Sequence, residues 1–301
     1  MIRSDNIRKG QLILPANYRW GVFVVSTIVM FLITMIILGM LQSTGILASG
    51  TSRASVRASV LTSSLLQGLL VFILPTVLTW YLTSKDPWHE PGIDVVPGWR
   101  NILRMLLLYA VSFPAMNQVV WFNQHIQLLP DYMSGLEATL RAMEDRAQLT
   151  TQTILADTSV GAMIVNVLII GIFTGTAEEM FFRGGIQRMM HKSGLSAAWS
   201  IWLAALIFSA VHMQFYGFIP RLLLGAMFGY VYWQSGSIWV SASMHALNNS
   251  LVVVCAWVQS RGLMSTDVDN LFVTESGFCW WFVVSAFLTV ALIIYRKEYG
   301  K

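Results

Sequence analysis

Three ionisable residues, Glu178, Glu179 and Arg183, fall within six positions at the end of an apolar run, in Gly175-Thr176-Ala177-Glu178-Glu179-Met180-Phe181-Phe182-Arg183-Gly184-Gly185. Ionisable groups at membrane depth are costly, and they are rare there unless paired or functional. Glu179 and Arg183 stand four apart and can pair along one helix face. Glu178 is turned about 100° from Glu179 and looks elsewhere. With Glu179 neutralised by Arg183, Glu178 is left to exchange a proton, as a general base must. Two further polar clusters follow: Phe208-Ser209-Ala210-Val211-His212 and His245-Ala246-Leu247-Asn248-Asn249. Phe208 shares a helix face with His212, and His245 with Asn249, because each pair is four apart. His212 could share a water with Glu178, while His245 and the Asn249 amide could supply two donors to a developing oxyanion. No serine or cysteine is placed as an obvious nucleophile, so the chemistry is attack by an activated water. A lone histidine or asparagine in a spanning helix is usually interhelical glue, and an intrahelical ion pair is often structural; the weight rests on the combination.

The elements that must position these residues are membrane helices. The chain has 301 residues, 55% hydrophobic and 11% charged, with mean hydropathy +0.62. That composition belongs to polytopic membrane proteins. Apolar runs at 20–41, 59–82, 102–122, 160–180, 196–213, 218–233, 237–258 and 277–295 predict an all-α bundle of about eight transmembrane helices forming one integral membrane domain over 1–301. Glu178 and His212 lie at comparable depth only if the fourth helix runs on to about residue 190. The connection 83–101 carries Pro87, Pro91, Gly92 and Pro97 and predicts an irregular loop. The stretch 136–157 lacks Gly and Pro and mixes Leu and Met with charges, which predicts a surface helix. Gly171-xxx-Gly175 and Gly225-xxx-Gly229 predict close helix approach, and Gly184-Gly185 a bend. Trp20, Trp80, Trp121, Trp280 and Trp281 near run ends predict interfacial belts.

The net charge of +4 comes from basic residues spread around apolar runs and does not indicate a nucleic-acid partner. Thirteen of the 19 Lys and Arg fall on the side of the termini. This predicts a cell-membrane protein with both termini in the cytoplasm, the 123–158 segment outside, and a buried site reached from the cytoplasm. The first apolar run is longer than a signal-peptide core and follows a largely polar stretch, so no signal peptide is expected. The two cysteines, Cys255 and Cys279, suggest neither a disulfide framework nor a cysteine metal site. His89 and His191 are expected in solvent, and His125 near a helix end at the interface.

Glu178-Glu179-xxx-Arg183, Phe208-xxx-His212 and His245-xxx-Asn249, in that order, resemble the three motifs of the CPBP family. That family comprises the type II CAAX prenyl proteases and bacteriocin-processing (Abi) enzymes. The resemblance covers about residues 160–258, the motif-bearing core, and extends to the first half only in its hydropathy. It implies a glutamate-dependent intramembrane endopeptidase without a metal or other cofactor. Glu178 would activate water with His212, His245 and Asn249 would form the oxyanion hole, Glu179 and Arg183 would support the site, and Phe208 would line it. The implied substrate is a peptide or membrane-anchored protein met within membrane lipid. One rival is a zinc-dependent membrane protease, since two Glu and two His could ligate zinc, although the H-E-x-x-H spacing is lacking. Another is a non-catalytic membrane scaffold that uses the same polar cluster to hold helices together, as the scaffold subunit of γ-secretase, which resembles this superfamily, implies.

Overall fold

The computed structural model describes residues 7–8, 11–47, 52–127, 129–266, 268–274 and 277–299. Its helices are α1 (Arg19–Ser43), α2 (Arg53–Thr83), α3 (Trp99–His125), α4 (Ser134–Leu155), α5 (Val160–Lys192), α6 (Ala197–Ala210), α7 (Phe218–Ser235), α8 (Ile238–Ser260) and α9 (Phe282–Tyr299). A two-residue antiparallel pairing of Ile7–Arg8 with Gln11–Leu12 precedes them. The fold is an all-α bundle in which each of the eight apolar runs overlaps a helix, although fewer than eight of the described helices have the length and apolar character of a span. Five of these, α1, α2, α3, α5 and α8, are long and apolar enough to cross a membrane, while α6 and the Phe282–Ile294 part of α9 are shorter apolar helices. On α1, Val25 and Ile36 are 60% and 61% exposed. Apolar side chains left bare in this way along a spanning helix face lipid rather than water.

Hydrogen bonds identify the two ends of the bundle. At one end, Trp20 donates to Ser193 (3.1 Å), Tyr232 to the Pro91 carbonyl (3.2 Å) and Tyr230 to the Ile293 carbonyl (2.8 Å). At the other, Arg57 reaches the Asn166 side chain (3.3 Å), Trp257 the Thr158 carbonyl (2.9 Å) and Asn123 the Phe215 carbonyl (3.1 Å). The segments leading to both chain termini thus share the first end, and α4 lies across the second, as the segment order predicts.

Local chemistry explains where helices start and how they survive interruption. Ser52, Ser159 and Ser196 cap α2, α5 and α6 by accepting from the backbone N–H three residues on. Pro114 interrupts α3, and Ser285 of α9 repairs the gap: its hydroxyl accepts from the Ala115 N–H and donates to the Val111 carbonyl. The wide turn Gln67–Ile73 in α2 falls just before Pro75, whose ring cannot continue a regular ladder. Ser84–Gly98 is irregular, as expected.

Both small-residue patterns serve close packing. A Cβ on Gly175 would stand 3.2 Å from the Ala246 N, and one on Gly225 would stand 3.2 Å from the Ala205 Cβ. Gly184 and Gly185 do not end α5; they lie in a wide turn, Met180–Gln187, against Pro91 and Phe23. Trp80 departs from the interfacial reading. It is fully buried, donates to the Gly184 carbonyl at 2.8 Å and lies beneath the Arg19 guanidinium. Its indole N–H finds a carbonyl freed by the wide turn, which holds it inside. Trp20, Trp280 and Trp281 are exposed, as an interfacial belt requires. Cys255 and Cys279 are both free, with Cys279 buried.

The α5–α8 contact yields a prediction. Gly175→Val places a branched side chain against the Ala246 backbone, which cannot yield as a flexible side chain would. Overpacking of this kind costs about 1–3 kcal/mol. Thermal unfolding in detergent should show the loss, and an unchanged midpoint would contradict the packing account.

Candidate active site

Glu178 and Glu179 end a short regular segment, Gly175–Glu179, set between two wide turns of α5, Val167–Thr174 and Met180–Gln187. Such wide turns gather at functional sites because they re-aim side chains within a continuous helix. α5 runs to Lys192, which supplies the extension past residue 180 that a shared depth requires. Measured from that end at 1.5 Å per residue, Glu178 lies about 21 Å in, and His212 about 22 Å from the start of α6.

Glu179 and Arg183 are 0% and 1% exposed, so neither charge has water to fall back on. Arg183 Nη1 donates to Glu179 Oε1 at 2.7 Å, and its Nη2 donates to the Gly225 carbonyl of α7 at 2.8 Å. One turn on, Gln187 donates to the Gly229 carbonyl at 3.0 Å. The Gly225-xxx-Gly229 stripe therefore bares two carbonyls to α5. His245 Nδ1 lies 2.9 Å from the same Glu179 Oε1. An ionised carboxylate only accepts, so Nδ1 carries the hydrogen. His245 Nε2 then faces Glu178 Oε2, 3.5 Å away. Glu178, which had no visible partner along its own helix, finds one on α8.

Phe208 joins these groups. Its ring lies edge-on to His212 (5.0 Å) and to His245 (5.7 Å), with the Arg183 guanidinium 4.8 Å from its centroid. His212 sits in the turn after α6, and its Nδ1 donates to the Phe208 carbonyl at 2.7 Å, leaving Nε2 as the free nitrogen. The next residue, Met213, has φ 54°. This left-handed backbone is uncommon for a residue with a side chain and stops the helix at this point.

The structure thus brings together Glu178, Glu179, Arg183, Phe208 and His245, with His212 joined through the Phe208 ring. Asn249 lies one turn beyond His245, but its amide donates to the Ile170 carbonyl at 3.4 Å and accepts from Asn248 at 3.3 Å. It is next to the site without bonding to the other named side chains. Among the described residues, no group of three or more His, Cys, Asp or Glu side chains converges as a metal site would. His125 is exposed and stacks on Trp121, His89 pairs with Asp94, and His191 is exposed, all away from the site.

Two neighbours escaped the sequence reading. Phe228 stacks on His245 at 4.8 Å and 26°. As one apolar residue in an apolar helix, it gives no signal of its own. Arg221, near the start of the sixth apolar run, is held by Gln214 (2.8 Å to Oε1), two residues from His212. Its position inside an apolar run was the available clue.

Residues 160–251 match the family described as Rce1-like, type II CAAX prenyl endopeptidase. The matched span holds every residue of the three motifs, from Glu178 to Asn249. It agrees with the resemblance drawn from the motifs and leaves the first half of the chain outside it. No curated protein and no solved structure matches the chain. The Rce1-like segment is the one that builds the buried cluster, and α1–α4 wrap it.

Arg183 and His245 both depend on Glu179. Removing one partner of a buried charged pair costs about 3–5 kcal/mol, because the other charge is left unpaired. Glu179→Gln should therefore lower the unfolding midpoint in detergent as well as activity. Wild-type stability in this variant would show that the pairing does not hold the site.

Proposed function

We propose that this integral membrane protein is an intramembrane endopeptidase of the CAAX type. It hydrolyses a peptide or membrane-anchored protein with a water activated by Glu178. The observation that carries this reading is the two-sided hold on His245: Glu179 fixes Nδ1 and thereby presents Nε2 to Glu178. The similarity of residues 160–251 to a family of endopeptidases points the same way.

In this reading, a water lies between Glu178 and the free Nε2 of His212. Glu178 takes one proton while His212 accepts a hydrogen bond from the other O–H. The hydroxide adds to the carbonyl carbon of the scissile amide, and its electron pair moves to the oxygen. Asn249, turned from Ile170, and a protonated His245 Nε2 donate to that oxyanion. Glu178 then returns its proton to the departing amine as the carbon–nitrogen bond breaks. Arg183 and Glu179 position the machinery, and Phe208 separates the two imidazoles. No step is assigned to a metal or other cofactor. The reading further places the protein in the cell membrane with both termini in the cytoplasm.

Glu178→Gln should abolish cleavage while leaving expression and unfolding unchanged. A comparison of membrane proteomes should then reveal a new C-terminus made only by the wild type. If the variant cleaves normally, the non-catalytic scaffold reading takes over. Asn249→Ala should lower kcat by about 10²–10³ with little change in KM, as loss of an oxyanion donor does. Chelation by o-phenanthroline should leave activity intact. Loss on chelation with recovery on added zinc would instead establish the zinc-dependent rival. A cytoplasmic reporter fused to the C-terminus should be active; activity only outside would reverse the orientation.

A further inference from the structure

Asn248 takes no part in the mechanism above, yet it stands inside His245-Ala246-Leu247-Asn248-Asn249. One position before Asn249 on α8, it is turned about 100° from it. Its side chain meets α3, where the hydroxyl of the buried Tyr109 donates to Asn248 Oδ1 at 3.2 Å. Asn248 Nδ2 donates in turn to Asn249 Oδ1 at 3.3 Å, and Asn249 Nδ2 donates to the Ile170 carbonyl of α5 at 3.4 Å. Four groups on three helices thus form one hydrogen-bonded chain.

The chemistry of its last member fixes the direction of this chain. A carbonyl oxygen only accepts, so the group that Asn249 turns to Ile170 is its NH2. The Asn249 oxygen then faces Asn248, which meets it with its own NH2. That leaves the Asn248 oxygen facing Tyr109, and the phenol meets it by donating its hydrogen. When Asn249 leaves Ile170 to serve an oxyanion, the carbonyl no longer fixes its amide. The Tyr109–Asn248 end still does. While Asn248 donates to its oxygen, the NH2 is the group left to face the reaction. Without that bond the amide can turn over and set its oxygen against a developing negative charge. Each bond in such a chain also polarises the next, so donation by Tyr109 strengthens Asn249 as a donor.

A tyrosine–asparagine bond between spanning helices is usually glue. Glue accounts for one bond between α3 and α8. It does not account for a chain whose order is set from end to end and which terminates on Asn249. We propose that Tyr109 and Asn248 are positioning residues that hold the Asn249 amide with its NH2 towards the oxyanion. The proposal rests on the peptidase reading above. It draws the first half of the protein into the site, because Tyr109 lies outside the Rce1-like span 160–251. Tyr109 also belongs to the same core cluster as Phe228, the ring that stacks on His245.

Tyr109→Phe keeps the ring and removes only the hydroxyl. On a pool of quenched fluorescent decapeptides it should lower kcat by about three- to tenfold, the worth of one hydrogen bond. KM should change little, since an oxyanion donor acts in the transition state. Asn248→Ala should cost at least as much. In an Asn249→Ala background neither substitution should have a further effect, because no amide is left to orient; this non-additivity separates positioning from packing. Tyr230→Phe removes another interhelical hydroxyl bond, from α7 to the Ile293 carbonyl of α9, and should leave kcat at the wild-type value. In protein isotope-labelled at its asparagines, the Asn249 NH2 resonances, identified by their loss in Asn249→Ala, should move in Tyr109→Phe, a readout that needs no substrate. Unmoved resonances, equal losses with and without Asn249, or an equal loss in Tyr230→Phe would overturn the proposal. Cleavage lost in Glu178→Gln but intact in Tyr109→Phe would sink the proposal alone. Cleavage at the wild-type rate in Glu178→Gln would sink the peptidase reading itself, and the proposal with it.

Discussion

One carboxylate oxygen holds three helices in register. Glu179 Oε1 on α5 accepts from Arg183 of the same helix and from His245 of α8, while the other end of the Arg183 guanidinium grips the Gly225 carbonyl of α7. Burying these charges is unfavourable unless each is paired and hydrogen-bonded. The arrangement tolerates little drift, because a small shift of any one helix would strand a charge. The glycines follow from this demand. Gly225 lets α7 lie close against Ala205 and Phe208 of α6, and Gly171 and Gly175 let α8 come near enough for His245 to reach Glu179. Helix packing and site chemistry are thus a single constraint.

The two imidazoles are oriented by different acceptors with the same outcome. His212 gives its Nδ1 hydrogen to a backbone carbonyl, and His245 gives its own to a carboxylate. Each is left with Nε2 as the nitrogen free for chemistry. Phe208 lies between them and presents its face to Arg183, so it spaces the rings and screens the ion pair from water. A smaller residue there would loosen both histidines at once.

Sequence made the helices legible because membrane runs are long and nearly uncharged. The site residues were legible because ionisable groups stand out against such runs. The surface helix 136–157 was visible for the opposite reason, its mixture of charges and apolar residues. What remained hidden depended on distance through space. The bond from His245 to Glu179 links positions 66 apart, and nothing in local spacing announces it. Trp80 looked interfacial by its place at a run end, yet a carbonyl freed by the wide turn at Gly184 draws it inside. Hydropathy likewise marks where a run ends but not where its helix does: the run 196–213 stays helical only to Ala210 and carries His212 into the turn.

That last point bears on His212. α6 stops at Ala210, and Met213 in the left-handed region turns the chain back just after His212, whose ring stays against Phe208. A longer α6 would carry its histidine to the surface of the bundle, far from the carboxylates. The same early stop sets the turn 211–217 against α3 and α4: Asn123 donates to the Phe215 carbonyl, and the Tyr216 hydroxyl donates to Glu137. The Glu137–Tyr216–Arg141 contacts hold α4 against that turn. Lengthening α6 by one turn would therefore displace His212 from Phe208, while the ion pair on α5 would stand.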